Sequence, residues 1–110
     1  MPVVRQRIPE ERRDEPRYDG PEVVHLQGEI CGANDPQLAG LRRFAQGRKY
    51  VNIDLARTSR IDPGAAAALR DTVRALSGLG KIVRLLKPNR LIGALLRALG
   101  IDAHASLIDP

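Results

Sequence analysis

Few side chains in this 110-residue sequence have the type and spacing that covalent, acid–base or metal chemistry requires. Asp54 and Asp62 suggest a pair of catalytic carboxylates, but one ends a predicted strand and the other is a good helix N-cap. His25 and His104 are isolated, with no cysteine or paired carboxylate at metal-ligand spacing. Cys31 lies near a predicted turn, and no neighbouring residue is placed to activate its thiol. The sequence therefore predicts a protein that is not an enzyme, with no cofactor and no metal site.

The most distinctive segment is a strand followed by a helix that begins abruptly. Alternating aliphatic side chains predict a strand over residues 50–55, and a short polar crossover follows it. Asp62 is placed to cap a helix whose first residue is Pro63, where the missing N–H costs nothing. Gly64 and four alanines leave the first turn almost without side chains, so its free N–H groups and the positive helix end face whatever approaches. We expect a docking surface here, with a small-anion site as the weaker alternative.

Strands and helices alternate along the rest of the chain and position this segment. The predicted strands are residues 22–30, 50–55, 81–86 and 106–108, and the predicted helices are residues 36–46, 64–77 and 90–99. The third strand has few polar interruptions, which is typical of a central position in the sheet. This order predicts an α/β fold with a mixed sheet of four or five strands and helices mainly on one face.

The length predicts one folded domain, residues 21–110, preceded by a mobile charged arm. The arm, residues 1–20, is rich in Arg, Glu, Asp and Pro, with a short strand as an option near residues 2–7. It has no apolar core of a secretory signal, and no apolar run in the sequence is long enough to span a bilayer. A single cysteine fits a reducing compartment, so we expect a cytoplasmic protein.

The net charge of +5 and the pI of about 10.1 raise the question of nucleic acid. The basic residues are spread along the chain, no nucleic-acid-binding motif accompanies them, and aromatic residues are only 3% of the total. We therefore expect no specific nucleic-acid binding. The charge is explained by a solvated basic surface, or by an acidic protein partner or an anionic membrane surface nearby.

The third predicted helix has more apolar side chains than one buried face needs. Leu91 and Leu95 point away from the stripe that includes Leu96, so the helix is apolar in almost every direction. A second interface containing Leu91, Leu95 or Leu96, with a partner or in a homodimer, is one explanation. The other is that residues 1–18 fold back and cover this side of the domain.

Several short motifs resemble the STAS domain, the fold of bacterial anti-sigma factor antagonists and of related domains in sulfate transporters, stressosomes and lipid-transport complexes. The resemblance covers about residues 22–108. It includes the strand residues 53–55, the segment Ser59-Arg60-Ile61-Asp62, the small-residue helix start, Gly80 before a strand, and Leu95-Leu96 followed by Gly100-Ile101. The segment around residues 55–62 is most similar to the small STAS subunit of the phospholipid-trafficking ABC transporter. The resemblance implies a protein–protein interaction module.

One departure from the family pattern bears on regulation. The family carries its regulatory Ser or Thr in the two positions after the Asp, where this sequence has Pro63 and Gly64, and Ala65 replaces a common Gly. The phosphorylation switch is therefore predicted to be absent. Two hypotheses follow: an accessory subunit that binds the ATPase of a lipid-transport ABC system, or an antagonist of a kinase-like anti-sigma factor. The predicted partner contacts are Thr58, Ser59, Arg60, Asp62, Pro63, Gly64 and Ala65.

Overall fold

Four strands and three α-helices alternate in the structure, a computed structural model that describes residues 23–108. The elements are β1 (Val23–Ile30), α1 (Pro36–Ala45), β2 (Tyr50–Ile61), α2 (Pro63–Gly78), β3 (Ile82–Leu86), α3 (Arg90–Ala98), a 3-10 turn (Ile101–Ala103) and β4 (Ser106–Ile108). The spatial order of the sheet is β1-β2-β3-β4. Because each new strand is added beside the previous one on the same side of the sheet, right-handed crossovers place all three helices on one face. This confirms the predicted α/β class.

Every strand pair in residues 23–108 is parallel, whereas we expected a mixed sheet. The physical reason is that every connection contains helical structure, and such crossovers return the chain to the same end of the sheet. The described strands number four. The strand considered near residues 2–7, and the proposed mobile arm of residues 1–20, lie outside the described residues.

β2 is twice as long as predicted and replaces the expected polar crossover. Only residues 50–54 pair with β3, while pairing with β1 continues as far as Ile61. Two register shifts against β1 each insert one extra residue into β2, and such bulges re-aim the side chains that follow. The buried positions consequently fall at Leu55, Thr58 and Ile61, a spacing of three instead of two. The last part of β2 therefore extends beyond β3 and carries polar side chains.

The core lies between the sheet and the helices and consists of aliphatic side chains. The predicted stripe of α2, Ala65, Leu69, Val73 and Leu76, is buried at 8% exposure or less. Asp35, Asp62 and Asn89 cap α1, α2 and α3, each accepting a hydrogen bond from a backbone N–H of the first turn. In a parallel sheet with helical crossovers all three of these helix starts lie at the same edge. No helix within residues 23–108 is long and apolar enough to cross a membrane.

Candidate docking site

The Asp62 carboxylate joins the start of α2 to the loop after β1. Its Oδ1 accepts a hydrogen bond from the Ala65 N–H at 2.7 Å, and both of its oxygens accept from the Gly32 N–H at 3.0–3.1 Å. The Asp62 N–H donates to the Ile30 carbonyl at 3.1 Å, which continues the pairing of β1 and β2 to the helix. One side chain thus fixes two neighbouring turns of backbone at the edge of the sheet.

The electrostatics of this junction favour an ionised carboxylate. Hydrogen bonds from the backbone N–H groups of Ala65 and Gly32 hold the pKa of Asp62 below its ordinary value, against an opposing effect of desolvation. A weaker hydrogen bond from Gly64 and the positive charge of Arg60 act in the same direction. The carboxylate is occupied by these backbone donors, so its role here is structural.

Four of the predicted contact residues are available to a partner. Ser59, Arg60, Pro63 and Gly64 are all exposed, and Asp62 is half-buried between them. Gly64 has an ordinary helical backbone and only van der Waals neighbours around the position of a Cβ atom. The structure therefore leaves a smooth surface with few side chains, flanked by one arginine. We call Ser59, Arg60, Asp62, Pro63 and Gly64 the helix-start surface.

Two predicted contact residues are buried and are not part of this surface. Ala65 has an exposed fraction of 0% because it is the first member of the α2 stripe that packs on the sheet. Thr58 has an exposed fraction of 3% because the β2 bulges turn it inward, and its hydroxyl donates to the Leu26 carbonyl at 3.0 Å. Neither side chain can contact a partner while the domain stays folded as described, so these two assignments are corrected.

A neighbouring loop that we did not predict belongs to the same edge. Cys31, Ala33 and Asn34 are exposed between β1 and α1, and the Gly32 Cα lies 3.9 Å from the position of a Gly64 Cβ. The signal that points to this loop is topological, because the loops after neighbouring parallel strands meet at one edge. A partner on the helix-start surface would therefore also contact this loop.

Among the side chains that could take part in acid–base chemistry, His25 and Asp54 lie together in the structure. The His25 Nδ1 lies 2.7 Å from the Asp54 Oδ2, across neighbouring strands in direct register. The other carboxylate oxygen of Asp54 accepts from the Ala56 N–H at 2.9 Å. This pair was not predicted from the sequence, because its register depends on strand pairing. Within residues 23–108 no group of three His, Cys, Asp or Glu side chains is arranged to hold a metal ion.

The three leucines of the candidate second interface have different environments. Leu91 is 82% exposed, Leu95 is half-buried, and Leu96 has an exposed fraction of 0%. Leu96 packs in the core under α3, so it is removed from the proposed interface. Leu91 and Leu95 remain at the surface of the described domain. Cover by residues 1–18 is a prediction that lies outside the described residues.

A family model described as "Mlab, STAS domain" matches residues 15–109. The chain belongs to the STAS domain family. A crystal structure described as a "putative anti-sigma factor antagonist" from Thermotoga maritima is similar, with a TM-score of 0.61 and 18% sequence identity over 81% of this chain and 80% of that chain. That likeness shows a STAS fold. No curated protein matches this sequence.

Proposed function

We propose that this STAS domain is a non-enzymatic interaction module that docks a protein partner on the helix-start surface. The observation that carries the proposal is the α2 start, where Pro63 and Gly64 are exposed and Asp62 holds the backbone of two turns in place. A rigid, exposed surface with little side-chain entropy to lose is well suited to binding another protein. The hydrogen bonds of Asp62 are directed inward to the backbone, which favours docking over catalysis.

For the partner, we favour the ATPase of a lipid-transport ABC system, bound in the cytoplasm. The resemblance of residues 55–62 to the small STAS subunit of such a transporter supports this choice. The missing hydroxyl at positions 63 and 64 supports it too, because a constitutive subunit needs no phosphorylation switch. The basic charge of the domain fits an acidic ATPase surface, and it also fits a position close to anionic lipid headgroups.

The alternative partner is a kinase-like anti-sigma factor, and for this partner the accessible hydroxyl groups matter because they could be phosphorylated. The Thr58 hydroxyl is buried and donates to a backbone carbonyl, so a kinase cannot reach it in the folded domain. Ser59 is the one exposed hydroxyl of the helix-start surface. An antagonist of this kind would therefore bind without the usual switch, or would be switched at Ser59.

The test is affinity capture from native cells with the full chain and two variants. Gly64→Glu adds a bulky, negatively charged side chain to the helix-start surface. The fold should tolerate it, because the Cβ position has only van der Waals neighbours and a negative charge is favourable near a helix N-terminus. Gly78→Glu makes the same change at the exposed far end of α2, where a Cβ atom meets nothing within 4 Å, and serves as the matched control. We expect an ABC ATPase with the wild type and Gly78→Glu, and its loss with Gly64→Glu. Capture of a kinase-like regulator in its place supports the alternative partner. If Gly64→Glu captures the partner as well as the wild type does, the helix-start surface is not the docking site.

A further inference from the structure

A groove lies beside the helix-start surface, between the end of β2 and α3. It exists because β2 extends beyond β3, so that its last residues face α3 without a strand between them. The Asn89 amide bridges this gap at one point, donating to the Ser59 carbonyl at 3.4 Å. The groove has a volume of about 180 Å³ and is lined by Ser59, Arg60, Ile61, Leu91, Ile92 and Leu95.

The floor of this groove is apolar and its rim carries an exposed leucine. Ile61 and Ile92 are 7% and 3% exposed and form the floor, with Leu95 half-buried beside them. Leu91 stands at the rim with 82% of its surface exposed, although it lies next to other aliphatic side chains. An apolar cavity of roughly 150 Å³ accommodates benzene. The groove is therefore large enough for one aliphatic or aromatic side chain.

Basic residues outnumber acidic ones around the groove. Arg60 lies on its wall, and Lys87 and Arg90 are exposed in the turn that leads to Leu91. Arg90 is the first residue of α3, where an acidic side chain would be favoured by the helix dipole. Two acids lie near Arg60: Glu29, in a loose pair at 3.9 Å that solvent screens, and Asp62, whose carboxylate is occupied by backbone N–H groups.

The whole described domain has the same bias. Residues 23–108 contain thirteen Arg and Lys residues against six Asp and Glu residues. Five of these acids have local partners: Asp35 and Asp62 cap helices, Asp54 pairs with His25, Asp71 with Arg70, and Glu29 loosely with Arg60. A partner with acidic charge is therefore attracted to this edge. A partner without acidic groups would bury these basic side chains unpaired, which costs their solvation.

We propose that the groove binds an aliphatic side chain from an acidic segment of the protein partner. This rests on the proposed function, because the groove shares Ser59 and Arg60 with the helix-start surface. The apolar floor takes the side chain, and Arg60, Lys87 and Arg90 pair with neighbouring carboxylates of the segment. The docking surface of this domain thus has two parts. The α2 start offers small residues, and the groove beside α3 takes an aliphatic side chain whose acidic neighbours in the partner pair with basic residues.

The experiment places a photo-crosslinking residue, p-benzoylphenylalanine, in the full chain at single positions in native cells. In place of Leu91 it probes the groove, and in place of Pro63 it probes the helix-start surface. In place of Leu79 it is the control, since Leu79 is a 74% exposed leucine at the opposite end of the domain. Mass spectrometry of the crosslinked peptides identifies the segment at each position.

We expect positions 91 and 63 to crosslink to the same partner and position 91 to attach to a segment with net negative charge and an aliphatic residue. Crosslinking from position 63 alone overturns the groove proposal but leaves the proposed function intact. If neither position crosslinks to a protein, both proposals are overturned. A crosslink from 91 to a second copy of this chain, to a lipid, or to a segment without acidic residues also overturns the groove.

An affinity measurement with the identified segment as a synthetic peptide completes the test. Leu91→Asp should weaken binding of the peptide at least tenfold, and added salt should weaken binding to the wild type as well. Leu79→Asp makes the same exposed change at the far end and should leave the affinity within twofold. Equal effects of the two substitutions, or binding that is independent of salt, would contradict the charge and groove assignment.

Discussion

The same substitution to Glu at two adjacent residues of the α2 start should have very different effects on the melting temperature. Ala65→Glu forces a carboxyl group into a site with 0% exposure among aliphatic side chains. Burying such a group without partners costs about 5 kcal/mol or more, and the nearby helix N-terminus returns at most about 2 kcal/mol. A net loss of about 3 kcal/mol or more follows, which lowers the melting temperature of a domain of this size by at least about 12 °C. Gly64→Glu is exposed and should change the melting temperature little.

Circular dichroism during heating measures both melting temperatures, and affinity capture of the partner measures docking. Gly64→Glu should lose the partner while the domain stays folded, whereas Ala65→Glu should lose it because the domain unfolds. An Ala65→Glu variant that melts with the wild type yet fails to bind would refute the reasoning, since it would return Ala65 to the docking surface.

Three further outcomes follow from burial and hydrogen bonding. Thr58→Val should lower the free energy of unfolding by about 1 kcal/mol in urea titrations, because it removes the hydroxyl that donates to the Leu26 carbonyl. Leu96→Ala should lower it by roughly 2–5 kcal/mol, but Leu91→Ala by less than about 0.5 kcal/mol, and equal costs would contradict the positions of these leucines. Asp62→Asn should melt earlier than wild type at neutral pH. Because the pKa of Asp62 is lowered by folding, its ionised form stabilises the domain above the ordinary value of about 3.8, and this advantage should disappear as the pH falls further. A gap in melting temperature that persists in strong acid would show that the charge is not its cause.

The order of elements was predictable because local signals agree with the fold. Asp35 and Asp62 before prolines mark the two helix starts, and Asn89 marks the third. Gly47 and Gly100 follow helices α1 and α3 with positive φ angles of 75° and 78°, which L side chains rarely adopt. Each of these signals depends on residues within one turn of backbone, so tertiary packing does not change them.

The end of β2 could not be predicted because its pattern depends on pairing with β1. A strand without bulges would bury every second residue, but two inserted residues change the spacing to three and place Thr58 inside. Residues 56–60 therefore look like a polar loop in the sequence although they form strand. The same shift determines which hydroxyl is accessible, and that decides how a kinase could act on this domain.

The charge of the sheet edge links the fold to recognition. All three α-helices begin at one edge, and none has an acidic residue in its first turn, so their positive ends add there. Asp35 and Asp62 are the acids that cap these helices, and backbone N–H groups occupy the oxygens of both: Cys31 and Gln37 donate to Asp35, and Gly32 and Ala65 donate to Asp62. Arg60 and Arg90 extend the positive field to the neighbouring groove. In a switched STAS domain a phosphate would reverse part of this field. With Pro63 and Gly64 in place of hydroxyl residues the field stays positive, so attraction of an acidic partner should vary with salt and not with phosphorylation at these two positions.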